Sequence, residues 1–338
     1  MHIALDAMGG DNGSLCLVEG AGMALAEDPA LKVILAGDRA TLEGHVAKCG
    51  TFPEGRYEIV HASEVVGMHT PAKESLKLKD CSVAVGARLV KEGKASALVS
   101  AGNTAAASAW TLMTWRPLTG IHRPAIATHL PTRKGPCIFL DMGGTVDCKP
   151  RNLVHFAIMG SVYAREIVGV QNPRIGILSI GEEESKGNEL TIETYKLLSQ
   201  ARHLAFKGNA EGRDILSGEF DVVVADGFVG NIVLKFAESL ASYMMEEFEA
   251  MIRSSLATKL LGLLLKPKAR QLKKKADYAE YGGAPLLGLN GYCLICHGRS
   301  SSRAVCNALK KAKEFVTHDV NVHIREDIEL NSHILNGN

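Results

Sequence analysis

Apolar runs of strand length recur along the chain at 3–8, 33–37, 57–62, 97–101, 126–130, 137–141, 175–180, 204–207, 221–225 and 292–297. Between most of them, apolar residues fall at helical spacing, as in 14–27, 82–93, 104–115, 151–168, 188–200, 231–252 and 301–315. Strand and helix alternating at this pace predict βαβ units and a mainly parallel, doubly wound sheet in a three-layer α/β/α protein. Continuous apolar strands such as VILAG and DVVVAD suit a sheet covered on both faces. No internal repeat or long linker interrupts the pattern. It predicts a single α/β domain over 1–316 and a polar, unevenly patterned tail over 317–338.

Five of the apolar runs end in a loop of Gly, Asn and Asp, followed by a helical pattern. They are IALDAMGGDNG (3–13), ALVSAGNT (97–104), CIFLDMGGTVD (137–147), IGILSIGEEESKGNE (175–189) and DVVVADGFVGN (221–231). In an α/β sheet such turns gather at the carboxyl edge, where ligands sit. Glycines let backbone approach a ligand and helix N-termini aim N–H groups at anions, so the loops point to a phosphate-type or carboxylate-type substrate.

One segment departs from the rhythm. From Met251 to Lys275 the chain reads MIRSSLATKLLGLLLKPKARQLKKK, with no acidic residue. Leu256, Leu260, Leu261, Leu264 and Leu265 form a stripe at helical spacing, and Pro267 should divide the helix into two arms. A protruding basic, leucine-rich hairpin of this kind suits an anionic membrane surface or a dimer seam.

The 338 residues carry a formal net charge of +1, with 46% hydrophobic, 22% charged and 5% aromatic content. That balance gives no electrostatic or stacking reason to expect nucleic-acid binding. No apolar stretch reaches the roughly 20 residues of a membrane-spanning helix, and MHIALDAMGG lacks the order of a signal peptide, so a cytosolic protein is expected. The eight cysteines should then be free thiols. Cys293, Cys296 and His297 spell CxxCH, but GYCLICHG alternates as a buried strand does, and no second Cys or His pair has zinc spacing.

GxxxxGK[ST], a GxGxxG after the first strand and GxSxG are all absent. In SKGNE, Lys186 lies between a strand end and a helix start, where it could hold a phosphate while Asn188 caps the helix. The plainer alternative is a surface lysine paired with Glu182, Glu183 or Glu184. Asn231, in DGFVGN, offers an amide to a substrate oxygen or serves as an N-cap. Asp6, Asp11, Asp141, Asp147 and Asp226 fall at strand ends, where turn and cap duty competes with a divalent-metal site. His297 ends the last strand and could act as acid or base.

The stretches ALDAMGGDNG, SAGNT, IHRPAIA, LDMGGTVDCKP, NLVHFAIMGSVYA, GEEESKGNEL, VADGFVGN and YGGAPLLGL, in order from residue 3 to about 315, resemble the bacterial phosphate acyltransferase (PlsX) family of phospholipid synthesis. The resemblance implies an isocitrate/isopropylmalate-dehydrogenase-like fold, a homodimer and no cofactor. It also implies transfer of a fatty acyl group from acyl carrier protein to inorganic phosphate, the product serving a membrane glycerol-3-phosphate acyltransferase. The chain departs from the family at Ala105-Ala106, where SAGNTGA is usual, and at Gly143-Gly144-Thr145, where a GAN-like triplet is usual.

On this reading Lys186 holds phosphate and Asn231 donates to the oxyanion or phosphate. Backbone N–H groups of the Gly9–Gly10 and Gly227–Gly230 turns complete the cradle. Gly9, Gly10, Asp11, Asn103, Thr104, Asp141, Asn188, Asn209, Asp226, Gly230 and His297 form the expected substrate-binding set. An acyl-cysteine route through Cys148 or Cys296 is the rival mechanism, and it requires a lowered thiol pKa. The leucine hairpin would wall the acyl groove, and Lys266, Lys268, Arg270 and Lys273 to Lys275 would steer the acidic carrier. The rival functions are a short-chain phosphotransacylase using coenzyme A, a dehydrogenase of the same fold, and a catalytically silent lipid or carrier sensor.

Overall fold

The structure is a computed structural model that describes residues 1–50, 52–255, 258, 268 and 282–335. Two sheets replace the single one expected. The first has the order β3 (Tyr57–His61), β2 (Lys32–Gly37), β1 (His2–Asp6), β4 (Ala97–Ser100), β12 (Tyr292–Ile295), β11 (Ala284–Leu287), β5 (Ala125–Ile126). It is parallel from β3 to β12, and β11 runs antiparallel to both its neighbours. The second has the order β6 (Thr128–Thr132), β7 (Gly135–Leu140), β10 (Val222–Val224), β8 (Arg174–Leu178), β9 (Ala205–Ala210), parallel except for β6. The apolar run 126–130 therefore spans a crossing between sheets: Ile126 pairs with Leu286 of the first, whereas Thr128 pairs with Phe139 of the second. Strand periodicity alone does not reveal such a change of partner.

The helices are α1 (Gly13–Glu27), α2 (Arg39–Cys49), α3 (Ala72–Ser75), α4 (Ser82–Lys91), α5 (Thr104–Trp115), α6 (Pro150–Tyr163), α7 (Glu189–Leu198), α8 (Gly227–Arg253), α9 (Ser302–Thr317), α10 (Val320–Leu330) and α11 (Ser332–Leu335). They cover both faces of parallel-rich sheets, giving the three-layer α/β/α arrangement. Leu98, Cys293 and Ile295 of the first sheet share a buried cluster with Cys137, Phe139 and Val223 of the second. Helix α6 is buried along nearly its whole length, from Asn152 to Tyr163, because it is enclosed between the second sheet and other helices. Its all-apolar run is what a buried helix requires.

Residues 317–335 are not a polar tail. Val320, Ile324 and Ile328 recur every fourth residue on α10 and are buried in the cluster that holds α6. Arg165 binds Asp327 at 3.0 Å and Glu166 at 2.8 Å, fastening α10 to the end of α6. The surrounding polar residues mask this one apolar stripe in the sequence. The strand β11 is likewise absent from the sequence reading, since its short run includes Pro285.

The long helix α8 differs from the rest. Only Gly227 and Gly230, at its start, are buried, while Phe236, Leu240 and Met244 are 67%, 47% and 59% exposed. With Ile232 they recur every four residues and make an apolar face without cover among the described residues. The expected hairpin over 251–275, with its leucines and Pro267, lies outside the described residues except at 251–255, Thr258 and Lys268.

Replacing Ile324 by Ala should lower the unfolding free energy by about 2–5 kcal/mol, the usual loss for a fully buried side chain of this size. Urea denaturation measures it. A midpoint equal to that of the parent chain would mean that α10 contributes nothing to the core.

Candidate functional site

The carboxyl edges of both sheets meet at a cleft of about 340 Å³. The first sheet contributes Ile295, Cys296 and His297 from the end of β12, and Thr104 from the start of α5. The second contributes Met142, Gly143 and Val146 from the loop after β7, and Gly227, Phe228, Asn231, Leu234 and Lys235 from α8. Its walls are mostly apolar, with polar groups concentrated near the start of α8 and at His297. That composition suits an apolar ligand with a polar head.

Each sheet places one buried aspartate under its edge. Asp6, 3% exposed, accepts from Ser82 Oγ at 2.5 Å and Ser100 Oγ at 2.7 Å, and from the N–H groups of Met8 and Gly9. Asp141 is fully buried and accepts four N–H groups: Ile126 at 2.8 Å, Gly143 at 3.2 Å, Gly144 at 2.9 Å and Thr145 at 2.6 Å. Burial raises both carboxyls above the ordinary range, Asp141 to about 6 despite its donors. At neutral pH Asp141 is thus an anion stabilised by backbone dipoles.

Of the N–H groups expected to complete a cradle, those of Gly9, Gly227 and Gly230 have partners within the protein. The N–H groups of Gly9, Gly143 and Gly144 serve the protein's own carboxylates. In α8 the Gly227 N–H donates to Thr145 O at 2.9 Å, Val229 N–H to the Asp226 carboxylate at 2.9 Å, and Gly230 N–H to Asp226 O at 2.9 Å. Asp11 N–H likewise donates to Gly298 O at 2.7 Å. Of the first turn of α8, the Phe228 N–H remains without a partner among the described residues.

The predicted residues separate accordingly. Thr104, Asn231 and His297 line the cleft. The N-cap of α8 is Asp226, so Asn231 is not a cap; it sits in the second turn, facing the Gly143 backbone. Gly230 brings α8 against the β7 loop so closely that a β-carbon there would overlap the Asp141 carbonyl oxygen. His297 accepts the Arg299 N–H on Nδ1 at 3.0 Å, which puts the proton of the neutral ring on Nε2. Gly9 packs against the Gly102 backbone, Gly10 lies beside Gly298 O, and Asp11 approaches Arg299 at 4.0 Å. Asn103 caps α5 and donates to the carbonyls of Gly67, Met68 and Thr70, so its amide staples two loops.

Lys186 does not line the cleft. Its loop leaves β8, the strand next to β10, and its side chain is exposed. It makes no ion pair among the described residues, and Glu182 binds Arg213 at 2.8 Å instead. Asn188 caps α7 through the Thr191 N–H at 3.0 Å. Asn209 holds the carbonyls of Glu183 and Lys186 from below. Lys235, which also lines the cleft and binds Glu238 at 2.9 Å, was missed by sequence reasoning. The signal was present: 231, 235 and 238 share one face of a helix.

The eight cysteines are free thiols. Burial pushes both Cys148 and Cys296 up to about 12, the reverse of what a nucleophilic thiolate requires. Cys293 is a buried strand residue of β12, in keeping with a structural reading of CxxCH.

An α/β/α frame whose two sheet edges close on a mostly apolar cleft with a few convergent polar groups defines a small-molecule enzyme of the doubly wound class. More narrowly, the chain belongs to the family described as fatty acid synthesis protein, whose model matches residues 1–323. It is 49% identical over 331 residues to a phosphate acyltransferase of Geobacter sulfurreducens, covering 97% of this chain and 94% of the relative. It is 47% identical over 321 residues to one of Aquifex aeolicus, covering 95% of each. Among solved structures it is similar to a phosphotransacetylase from Streptococcus pyogenes, with a TM-score of 0.63 at 18% identity over 94% of both chains. It is also similar to the EutD phosphotransacetylase from Staphylococcus aureus, with a TM-score of 0.62 at 17% identity over 93% of this chain and 94% of that one. These two structural likenesses concern the fold.

Asp141→Asn should destabilise the protein by about 1–3 kcal/mol, because an amide NH₂ would face N–H donors that it cannot satisfy. In the parent chain, activity should fall as pH drops through about 6, where Asp141 takes up a proton. Its folded value exceeds the unfolded 3.8, so the folded state binds the proton first. This group therefore adds stability as pH falls from about 6 towards 4, and the activity loss should precede unfolding. A rate that stays level to pH 5 would contradict the assignment.

Proposed function

We propose that this protein transfers a fatty acyl group from an acyl carrier protein thioester to inorganic phosphate, making acyl phosphate for phospholipid synthesis. The observation that carries this reading is the cleft itself. Ile126, Met142, Val146, Phe228 and Leu234 provide apolar wall for an acyl chain, and Asn231 stands beside them at the head. Long-chain transfer is favoured over acetyl or butyryl transfer from coenzyme A, since a short acyl group needs no such wall.

A phosphate oxygen attacks the thioester carbonyl, an oxyanion forms, and the C–S bond breaks to release the carrier thiolate. Phosphate is already ionised, so no side chain has to be activated as a nucleophile. Lys186, on the loop after β8, holds the phosphate as a point charge, and Asn231 donates to the oxyanion or phosphate. Positioning of this kind lowers barriers by about 7–11 kcal/mol, and each oxyanion donor contributes about 3 kcal/mol. The protonated state of Cys148 and Cys296 supports direct attack over an acyl-cysteine intermediate.

The exposed apolar face of α8 supports a surface contact, which we assign to a second copy of the chain and to the inner face of the cytoplasmic membrane. No helix among the described residues is long and apolar enough to cross a membrane. Membrane association is therefore peripheral in this reading, and it delivers acyl phosphate to a glycerol-3-phosphate acyltransferase. The carrier-steering lysines expected between 266 and 275 lie outside the described residues, save Lys268. The isopropylmalate-dehydrogenase-like label for the fold belongs with this reading.

Protein incubated with phosphate and an acyl carrier thioester should yield acyl phosphate, trapped as the hydroxamate. Product from coenzyme A thioester alone would favour a short-chain phosphotransacylase, and no product would favour a silent sensor. Lys186→Ala and Asn231→Ala should each slow turnover by roughly 10²–10³. Near-parental turnover in either variant removes that residue from the mechanism.

A further inference from the structure

Asn209 is the next-to-last residue of β9, the edge strand beyond β8 in the second sheet, and is 6% exposed. Its amide NH₂ donates to Glu183 O at 2.8 Å and Lys186 O at 3.5 Å. Both partners are acceptors, so the network itself fixes which end of the amide is nitrogen. Oδ1 is buried with no partner among the described residues. The grip of this amide is therefore its NH₂ end, on the carbonyls of the 183–186 turn.

The backbone is arranged to bring Asn209 there. Ile175 pairs with Phe206 but Gly176 pairs with Gly208, so Lys207 is an extra residue in β9. Such a bulge re-aims the side chains that follow it. The turn above is held from its other side as well: Lys186 N–H donates to Glu183 O at 3.0 Å, and Ser179 Oγ donates to Lys186 O at 3.0 Å. Gly187 follows at φ +123°, where a β-carbon would run into Thr191. Lys186 is thereby the exposed tip of a turn whose backbone carbonyl is gripped by two side chains.

We infer that Asn209 is a positioning residue for phosphate binding, holding the 183–186 turn so that Lys186 is presented towards the cleft edge. The inference rests on the reading of Lys186 as the phosphate ligand. Asn209 acts through the lysine and does not touch the reacting atoms.

A double-mutant cycle tests it, with KM for phosphate, KM for the carrier thioester and kcat measured for Asn209→Ala, Lys186→Ala and the pair. Asn209→Ala should raise the phosphate KM roughly tenfold, the equivalent of one lost buried hydrogen bond, and leave the thioester KM within about twofold. In the Lys186→Ala background the same change should add less than about twofold, because its target is already gone. Asn209→Ser, which keeps one donor, should give an intermediate phosphate KM, and Asn209→Asp, nearly isosteric but with oxygens against both carbonyls, should be no better than Ala. Circular dichroism and melting midpoints show which variants are folded, and any one folded Asn209 variant suffices for the cycle. Equal rises in both KM values, or the same factor in both backgrounds, would overturn the positioning role while leaving Lys186 intact. A parental phosphate KM in Lys186→Ala alone would instead overturn the reading of Lys186, and this inference with it.

Discussion

Buried carboxylates that accept backbone N–H groups hold this molecule's functional edge together. Parallel strands deliver their loops to one side, and each glycine-rich loop brings a row of N–H donors that needs acceptors once water is excluded. Asp6 does this for the first sheet, with Ser82 and Ser100 closing the remaining positions. Asp141 does it for the second, gathering Gly143, Gly144 and Thr145, and reaching across to Ile126 of the first sheet. The same loop accepts the start of α8 through Thr145 O. The cleft, the helix and the junction of the two sheets therefore depend on one anion.

A consequence follows for chemistry. Loops whose donors already serve the protein cannot wrap an external anion in backbone, as a nucleotide-binding loop does. Of the side chains at this edge, Asn231, Lys235 and His297 line the cleft, whereas Lys186 does not. Cys148 and Cys296 are held protonated by burial, and the two carboxyls that burial raises, Asp6 and Asp141, are enclosed. Neither Cys148 nor Cys296 is poised as a nucleophilic thiolate.

Helix α8 joins two tasks. Its first three turns, to Glu238, contribute cleft wall, and an apolar face from Ile232 to Met244 is exposed.

Much of the frame was legible from residues alone. Ten apolar runs marked strands, and the helical intervals marked most helices, because burial on both faces leaves a period that any reader can detect. Asn188 at a helix start was legible because caps are local matters. The division into two sheets was not, since the run 126–130 looks the same whether it keeps or changes its partner. Nor was α10, whose three apolar residues stand in polar company. The use made of each loop donor depended on which carboxylate lay beneath it, a contact between residues such as Ile126 and Asp141 that no spacing rule encodes. Local composition determined most of the elements; long-range packing decided which amide and which lysine, Asn231 and Lys235, line the cleft and which aspartates serve the fold, since side-chain direction is set only when the strands are paired.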